Sequence, residues 1–168
     1  MTDPIKLIGN VASPYTRKMV AYLRYKRIPY EVIWGQPEDI LLSMNIEAPK
    51  PILLPVFILD RDGQATAVTD STPLIREFED KYPDRSVLPN NPALNFINFV
   101  LEDFGDEWCT KFMFHYRWHF DEDADNAGTI LPLGINRNLK DDELAFFKEH
   151  FAKRQIDRLW VVGSNDET

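Results

Sequence analysis

Cysteine is almost absent from this 168-residue sequence, in which Cys109 is the single example. One cysteine excludes a disulfide within the chain and a zinc cluster built on several thiolates, and it fits a reducing, cytoplasmic compartment. Long apolar runs are also absent, because no stretch near the N-terminus approaches the ~18 residues of a membrane span. The sequence therefore predicts a cytoplasmic protein with no signal peptide and no membrane association.

Basic residues are outnumbered, since 19 lysines and arginines stand against 27 aspartates and glutamates, giving a net charge of -8 and a pI near 4.9. This balance has the wrong sign for a general nucleic-acid binder or a protein that binds anionic membranes. Hydrophobic residues make up 44 % of the chain, which is enough for a packed core. Small solutes or protein partners are therefore the expected ligands.

The N-terminal half alternates between short apolar runs and helical periodicities. The turn signal Asp62-Gly63 lies between two runs of β-forming residues and predicts a hairpin, and Ser71 is placed to cap the helix that follows. A helix between the first two strands would make those strands parallel. The predicted elements are strand 5–8, helix 17–26, strand 30–34, a short helix at 38–44 within an irregular connection, strands 55–60 and 66–69, and helix 71–82. Their order is βαβ-ββα, an α/β arrangement.

The rest of the chain predicts helices only. Residues 83–92 contain three prolines and no periodicity, so we interpret them as a linker between a domain at 1–82 and an all-α domain at 93–168. Apolar residues then recur at three- and four-residue steps, which predicts one long helix to about residue 120. The acidic run 121–125 is expected to end that helix, and a second helix is expected from about 141 to 160.

The C-terminal residues Ser164-Asn165-Asp166-Glu167 match a capping box, with serine at the cap and glutamate three positions later, although only Thr168 follows. The sequence thus signals the start of a helix that does not follow. We expect the helical domain to be truncated, and a frayed acidic tail is the alternative.

The segment Ser13-Pro14-Tyr15-Thr16 lies where the first strand meets the first helix. A helix start offers unpaired N–H groups and a partial positive charge, which stabilise a thiolate or carboxylate held there. The Ser13 hydroxyl is the preferred donor to such an anion. Ser13 is also placed to be an ordinary helix N-cap, and the two roles can coexist. The Tyr15 phenol is a competing donor to a ligand sulfur.

Three motifs together resemble the glutathione transferase superfamily, over roughly residues 4–120. Ser13-Pro14-Tyr15-Thr16 resembles the glutaredoxin segment Cys-Pro-Tyr-Cys with hydroxyls in place of both sulfurs. Leu54-Pro55-Val56 resembles the turn whose proline is cis in thioredoxin-like folds, and Asp70-Ser71 resembles the Glu/Gln-Ser pair that holds the γ-glutamyl end of glutathione. The resemblance implies a thioredoxin-like α/β domain followed by an all-α domain, with glutathione as the co-substrate.

The same resemblance implies a role for each motif. Ser13 would be the catalytic residue, stabilising the glutathione thiolate as it attacks a small-molecule electrophile. A cis bond before Pro55 would turn the Leu54 backbone toward the peptide, which would pair with it like an added strand. Ser71 and the N–H groups of its helix would bind a carboxylate of the ligand, and Asp70 would bind its α-ammonium.

Other residues are assigned more loosely. Arg17 and Lys18 are candidates for the glycyl carboxylate, and a solvated helix face is the alternative for each. The loss of both glutaredoxin sulfurs disfavours disulfide exchange and favours transfer or isomerisation. The resemblance also implies a homodimer, with Phe96, Phe99 and Asp103 on a partner surface unless the phenylalanines are buried in the monomer.

A non-catalytic binding or scaffold module with the same fold is the alternative function, and the short helical region favours it. A dehalogenase, isomerase or reductase acting through the same thiol is a further alternative. Cys109 is expected to be a buried small hydrophobe, and the aromatic residues between 112 and 120 are expected to serve mostly in the core and in packing between the domains. His115 and His119 have a spacing compatible with a metal, but solvated histidines in an aromatic-rich interface, with no metal, are favoured.

Overall fold

The computed structural model describes residues 3–165 and residue 167, and it divides the chain into two compact units. Unit 1 is Met1–Val87 and unit 2 is Leu88–Thr168. The division after Val87 falls inside the segment 83–92 that the sequence analysis interprets as a linker.

Unit 1 is a four-stranded mixed sheet with helices, and it confirms the predicted βαβ-ββα order. Strands β1 and β2 are parallel, whereas β3 pairs antiparallel with both β1 and β4, giving the strand order β2-β1-β3-β4. A short helix, α2, lies between β2 and β3, where a short helix was expected at 38–44. The elements are β1 (Ile5–Gly9), α1 (Pro14–Lys26), β2 (Tyr30–Trp34), α2 (Pro37–Ser43), β3 (Val56–Arg61), β4 (Gln64–Val68) and α3 (Ser71–Lys81).

The core of unit 1 forms because apolar residues of α1 and α3 recur at helical spacing and cover one face of the sheet. Leu23 of α1 is completely buried, as are Phe57 of β3 and nearly all of Phe78 of α3. The rings of Phe57 and Phe78 meet edge to face, with centroids 5.6 Å apart. Burial of each such side chain stabilises the fold by about 1.5–3 kcal/mol.

A buried polar network connects α1, α3 and the end of unit 1. The side chains of Lys26 and Glu79 are 0 % and 5 % exposed, and Lys26 Nζ lies 2.9 Å from Glu79 Oε1. The Tyr22 hydroxyl donates to the same oxygen at 2.7 Å. The other oxygen, Oε2, accepts the Ser86 hydroxyl at 2.5 Å and the Val87 N–H at 3.1 Å. Every described contact of this carboxylate is therefore with a donor.

Unit 2 is entirely helical in its described part. The predicted long helix is present as α4, a π-helical turn and α5 in succession, so its end near residue 120 is confirmed, although the π turn interrupts it. None of the helices described is both long and apolar enough to cross a bilayer. The elements are α4 (Pro92–Asp103), the π turn (Phe104–Trp108), α5 (Cys109–Trp118), α6 (Asp121–Ile135), α7 (Asp141–Ile156) and a 3₁₀ turn (Leu159–Val162).

The acidic run 121–125 follows the end of the long helix, as expected, but it also begins a further helix, α6, which the sequence pattern did not predict. Asp121, Glu122 and Asp123 occupy the first turn of α6, where carboxylates are stabilised by the helix dipole. Gly128 faces α7 closely, since an added Cβ would lie 3.0 Å from Lys148 Cγ. The buried face of α6 is made of small residues, and it therefore lacks the large apolar residues by which the periodicity of a helix is recognised.

Three further expectations for unit 2 require correction. Cys109, the first residue of α5, is exposed rather than buried. The aromatic residues are only partly core: Trp118 is 3 % exposed, whereas Phe112 and Tyr116 are 51 % and 62 % exposed. The second predicted helix, α7, ends at Ile156, and the segment to residue 160 is completed by the 3₁₀ turn.

The histidines of α5 and the C-terminal segment contact each other. His115 is 9 % exposed, so it is not the solvated residue that the sequence analysis favours, and its Nδ1 lies 2.7 Å from the Ser164 hydroxyl oxygen. His115 also stacks on His119 with ring centroids 4.7 Å apart. Within the predicted capping box, Asp166 lies outside the described residues, as does Thr168 after it.

Candidate active site

The loop between β1 and α1 is built around Asn10, a residue that the sequence analysis does not single out. Asn10 is 5 % exposed, and its side-chain oxygen accepts the Ala12 N–H at 2.9 Å. Its carbonyl accepts the Ser13 N–H at 3.0 Å, and its own N–H donates to Thr16 Oγ1 at 3.3 Å. An asparagine directly after a strand is typical of such an Asx turn, and this signal was available in the sequence.

Ser13 is the N-cap of α1, as one of its two expected roles requires. Its backbone is extended, with φ -80° and ψ 121°, and its Oγ accepts the Thr16 N–H at 3.2 Å. This bond uses a lone pair of the hydroxyl oxygen and leaves the hydroxyl proton to be donated. Capping and donation to a ligand atom are therefore compatible in the same side chain.

The residues that follow Ser13 in the chain differ in their burial and in the groups that they contact. Thr16 is completely buried and packs on Gly9, where an added Cβ would lie 2.5 Å from Thr16 Cγ2. The Arg17 side chain donates from Nε to the Val11 carbonyl at 2.9 Å and so contacts the loop. Tyr15 is half-buried in the first turn of α1.

The pairing of the strands brings the three predicted motifs to the same end of the sheet, where the strands begin or finish. Because β1 and β3 are antiparallel and Ile8 pairs with Val56, the turn Leu54-Pro55 lies beside the end of β1, where the Asn10 loop begins. β4 is antiparallel to β3, and Val68 pairs with Phe57, so the segment that leads from β4 into α3 lies at this end of the sheet as well. The Leu54-Pro55 peptide bond is cis, as is Lys50-Pro51.

The start of α3 differs from the prediction in its cap. Asp70, not Ser71, is the N-cap, and Asp70 Oδ1 accepts the Thr72 N–H at 3.3 Å. Ser71 is the first helical residue and is 6 % exposed. Its hydroxyl accepts a hydrogen bond from Lys18 Nζ at 2.9 Å, so Lys18 is not merely part of a solvated helix face.

No group of three metal-compatible His, Cys, Asp or Glu side chains occurs within the described parts of the chain. The groups at this end of the sheet are instead hydroxyls, a lysine, an aspartate and the starts of two helices. Such groups suit a small zwitterionic or anionic ligand, because helix N–H groups and an ammonium bind carboxylates while a carboxylate binds an ammonium.

The family model described as "Glutathione S-transferase, N-terminal domain" matches residues 7–86, which include all three motifs. Residues 7–86 are therefore a domain of the glutathione S-transferase N-terminal type. The expected thioredoxin-like unit followed by a helical unit is thereby confirmed. A search of curated proteins returned no match.

Solved structures, glutathione transferases among them, share the fold at low sequence identity. An enzyme from Methylobacterium radiotolerans, crystallised with glutathione sulfonate, has TM-score 0.56 and 21% identity over 95% of this chain and 65% of its own. Omega 1C transferase from Trametes versicolor has TM-score 0.55 and 10% identity over 98% and 89%. The beta-etherase LigF from Sphingobium has TM-score 0.55 and 18% identity over 95% and 69%. The chain thus spans slightly less than two thirds of the first of these structures.

Proposed function

We propose that this transferase-like protein binds glutathione and activates its thiol for attack on an electrophilic small molecule. The observation that carries the proposal is Ser13, which caps α1 through a lone pair and retains a proton for a ligand sulfur. A free thiol has a pKa near ~8.5, so only a few per cent is thiolate at neutral pH. A hydroxyl donor and the positive end of α1 both favour the thiolate, which is the nucleophile.

In the proposed reaction, the thiol proton leaves to solvent and the thiolate sulfur attacks an electrophilic carbon of the second substrate. A carbon–sulfur bond forms, and the leaving group departs with the electron pair of the bond that breaks. Ser13 donates to the sulfur throughout binding and releases it as the new bond forms. Thr16 has no sulfur and is completely buried, so this site has no second thiol for disulfide exchange at that position.

The other motifs support a binding slot for the tripeptide. The Leu54 backbone would pair with the cysteinyl residue, as an added strand pairs with a sheet edge. The exposed Asp70 carboxylate would bind the α-ammonium of the γ-glutamyl residue. Ser71 and the N–H groups at the start of α3 would bind the α-carboxylate of the same residue. Tyr15 and Arg17 would line the slot next to Ser13.

Isothermal titration with glutathione tests the proposal. We expect a dissociation constant between about 1 μM and 1 mM, the usual range for enzyme substrates, and the appearance of thiolate ultraviolet absorbance on binding. Turnover is then measured with an aryl halide as the electrophilic second substrate. Absence of binding at several millimolar glutathione would contradict the proposal, whereas binding without thiolate absorbance or turnover would favour the non-catalytic module.

We also propose that the protein is a cytoplasmic homodimer whose partner surface includes α4. Phe96 and Phe99 are 67 % and 49 % exposed on that helix, and large apolar side chains at such exposure are typical of association surfaces. Sedimentation velocity should show a dimer that the change Phe96→Glu converts to a monomer. The matched change Phe146→Glu, on the 56 % exposed Phe146 of α7, should leave the dimer intact. A wild-type monomer at micromolar concentration would contradict this proposal.

A further inference from the structure

Asn10 is a buried residue that joins the end of β1 to the start of α1. It directly follows Gly9, the last residue of β1, and only 5 % of its surface is exposed. Its side-chain Oδ1 accepts the Ala12 N–H at 2.9 Å, and its carbonyl accepts the Ser13 N–H at 3.0 Å. Its own N–H donates to Thr16 Oγ1 at 3.3 Å. Asn10 therefore contacts the chain both before and after the hydroxyl that the proposed reaction uses.

The first turn of α1 packs closely against the end of β1. A Cβ added to Gly9 would lie 2.5 Å from Thr16 Cγ2, and Thr16 is completely buried. The Thr16 N–H in turn donates to Ser13 Oγ at 3.2 Å. β1 is an interior strand of the sheet, with β2 on one side and β3 on the other. The loop thus connects the Ser13 hydroxyl to an interior strand.

The position of the Ser13 hydroxyl depends on the turn formed by residues 10–13. A hydrogen-bond donor stabilises an anion most when it is already in place before the ligand binds, and a displacement of about 1 Å can lower the rate ~100-fold. Ser13 precedes the first helical residue of α1, so the helix alone does not fix it. The two bonds that Asn10 accepts, from the Ala12 and Ser13 N–H groups, close this turn.

The side chain of Asn10 is an uncharged amide, which matters next to a thiolate. Asparagine and aspartate both form turns of this kind, so the turn by itself does not require the amide. An ionised aspartate at position 10 would place a second negative charge in the loop that holds the sulfur, and a like charge disfavours the thiolate. The asparagine therefore closes the turn without opposing the anion.

We propose that Asn10 is a positioning residue, which fixes the Ser13 hydroxyl for the thiolate through the turn 10–13 and does not itself touch the reacting atoms. The inference rests on the proposed function, since it assigns a residue that acts through Ser13. Asn10 supplies two properties, an oxygen acceptor that closes the turn and the absence of charge. Asn10→Ala removes the acceptor, whereas Asn10→Asp keeps an acceptor and adds a charge.

The test compares the wild type with these two variants and with two matched controls. The controls are Asn136→Ala and Asn136→Asp, because Asn136 Oδ1 accepts the Asn138 N–H at 2.9 Å in the same kind of turn, on the surface of unit 2. The kcat and the KM for glutathione are measured with an aryl halide from about pH 5 to pH 10, a range that includes the pKa of a thiol. Ultraviolet absorbance gives the fraction of bound thiolate, and circular dichroism with thermal unfolding verifies that each variant is folded.

We expect Asn10→Ala to lower kcat by about 10- to 100-fold across this pH range, because the hydroxyl is no longer held in place. The KM for glutathione should change less than about threefold, since the proposed binding contacts at Leu54, Asp70 and Ser71 remain. The fraction of bound thiolate at neutral pH should fall. Both Asn136 variants should leave all of these quantities as in the wild type.

Asn10→Asp should act differently. The pH at which the bound thiolate is half formed should rise by about one unit, because the added charge opposes the anion. On the alkaline side of that midpoint its kcat should return to near the wild-type value, since the turn is intact. Asn10→Ala should not recover at any pH. A role confined to stability would lower the unfolding temperature of either variant but would leave the midpoint unchanged.

The outcomes separate this inference from the proposed function. If the wild type does not bind glutathione, or binds it without thiolate absorbance, the proposed function is wrong and this inference is wrong as well. If the wild type forms the thiolate and turns over, and folded Asn10→Ala does so equally well, only the Asn10 assignment is wrong. Should Asn10→Ala not fold, Asn10→Asp decides, and an unshifted thiolate midpoint overturns the assignment. If neither variant folds, Asn10 is a determinant of the fold and the assignment is likewise overturned.

Discussion

Replacing Ser13 with alanine should lower glutathione-dependent turnover by about 100- to 1000-fold, the usual effect of removing one hydrogen-bond donor from a reacting anion. The dissociation constant of glutathione should change less than about threefold, because most of the proposed binding contacts lie at Leu54, Asp70 and Ser71. Single-turnover kinetics with an aryl halide, together with calorimetry, measure the two quantities separately. Thiolate absorbance of the bound ligand should disappear in the variant.

The N-cap role of Ser13 calls for a control, because alanine also removes the acceptor of the Thr16 N–H. Ser13→Asp keeps an acceptor at the cap but has no proton to donate when ionised, so it should lose turnover while retaining stability. Ser13→Ala should also destabilise the protein by about 0.5–2 kcal/mol. The change Ser43→Ala, on the exposed end of α2, should affect neither property. Intact turnover with lost affinity would contradict the catalytic role.

Breaking the buried ion pair of unit 1 should have the largest effect on stability. Lys26→Met leaves the Glu79 carboxylate buried without its cation, and such changes cost about 3–5 kcal/mol. Lys26 Nζ also donates to the Tyr82 carbonyl at 2.5 Å, and that bond is lost as well. Urea unfolding measures the change. Lys81→Met, which removes an exposed charge from the last turn of α3, should stay within about 0.5 kcal/mol of the wild type.

The same network predicts how stability depends on pH. Burial raises the pKa of the Glu79 carboxyl, but hydrogen bonds from Ser86, Lys26 and Tyr22 and the Lys26 charge outweigh it, so the pKa is lowered overall. A carboxyl whose folded pKa is depressed stabilises the protein above its unfolded pKa, near ~4.3, and loses this contribution as the pH falls through the folded value.

Urea unfolding of the wild type between pH 7 and pH 3 should therefore show a loss of stability on the acid side of about pH 4.3. Glu79→Gln carries no ionisable group at this position, so it should be less stable at pH 7 and lose less stability on acidification. Parallel curves for the two proteins would show that Glu79 does not carry this dependence.

The sequence was sufficient to predict most of unit 1, because its signals are local. The Asp62-Gly63 turn predicted the β3–β4 hairpin, and the helical spacing of Leu74 and Phe78 predicted the buried face of α3. Helix α6 was missed for the opposite reason. Its buried face uses residues such as Ala124 and Ala127, whose small side chains carry little hydrophobic signal.

The candidate site also has features that local sequence signals predicted and features that they did not. Ser13 and the pair Asp70-Ser71 were found from the residue types that they place at helix starts. The contact between Lys18 and Ser71 was not, since it depends on how α1 packs near α3 across 53 positions of chain. Cys109 was assigned to the core because its neighbours are aromatic, but the π turn before it shifts the face that α5 buries.

Glu79 also determines how short a folded fragment of unit 1 can be. The donors to its Oε2, the Ser86 hydroxyl and the Val87 N–H, lie beyond residue 82, within the stretch that composition alone marks as a spacer. In a fragment that ends at Tyr82, Glu79 Oε2 would be buried without either donor. A fragment that ends at Val87 would retain both donors. These last few residues therefore belong to the folded unit rather than to a tether.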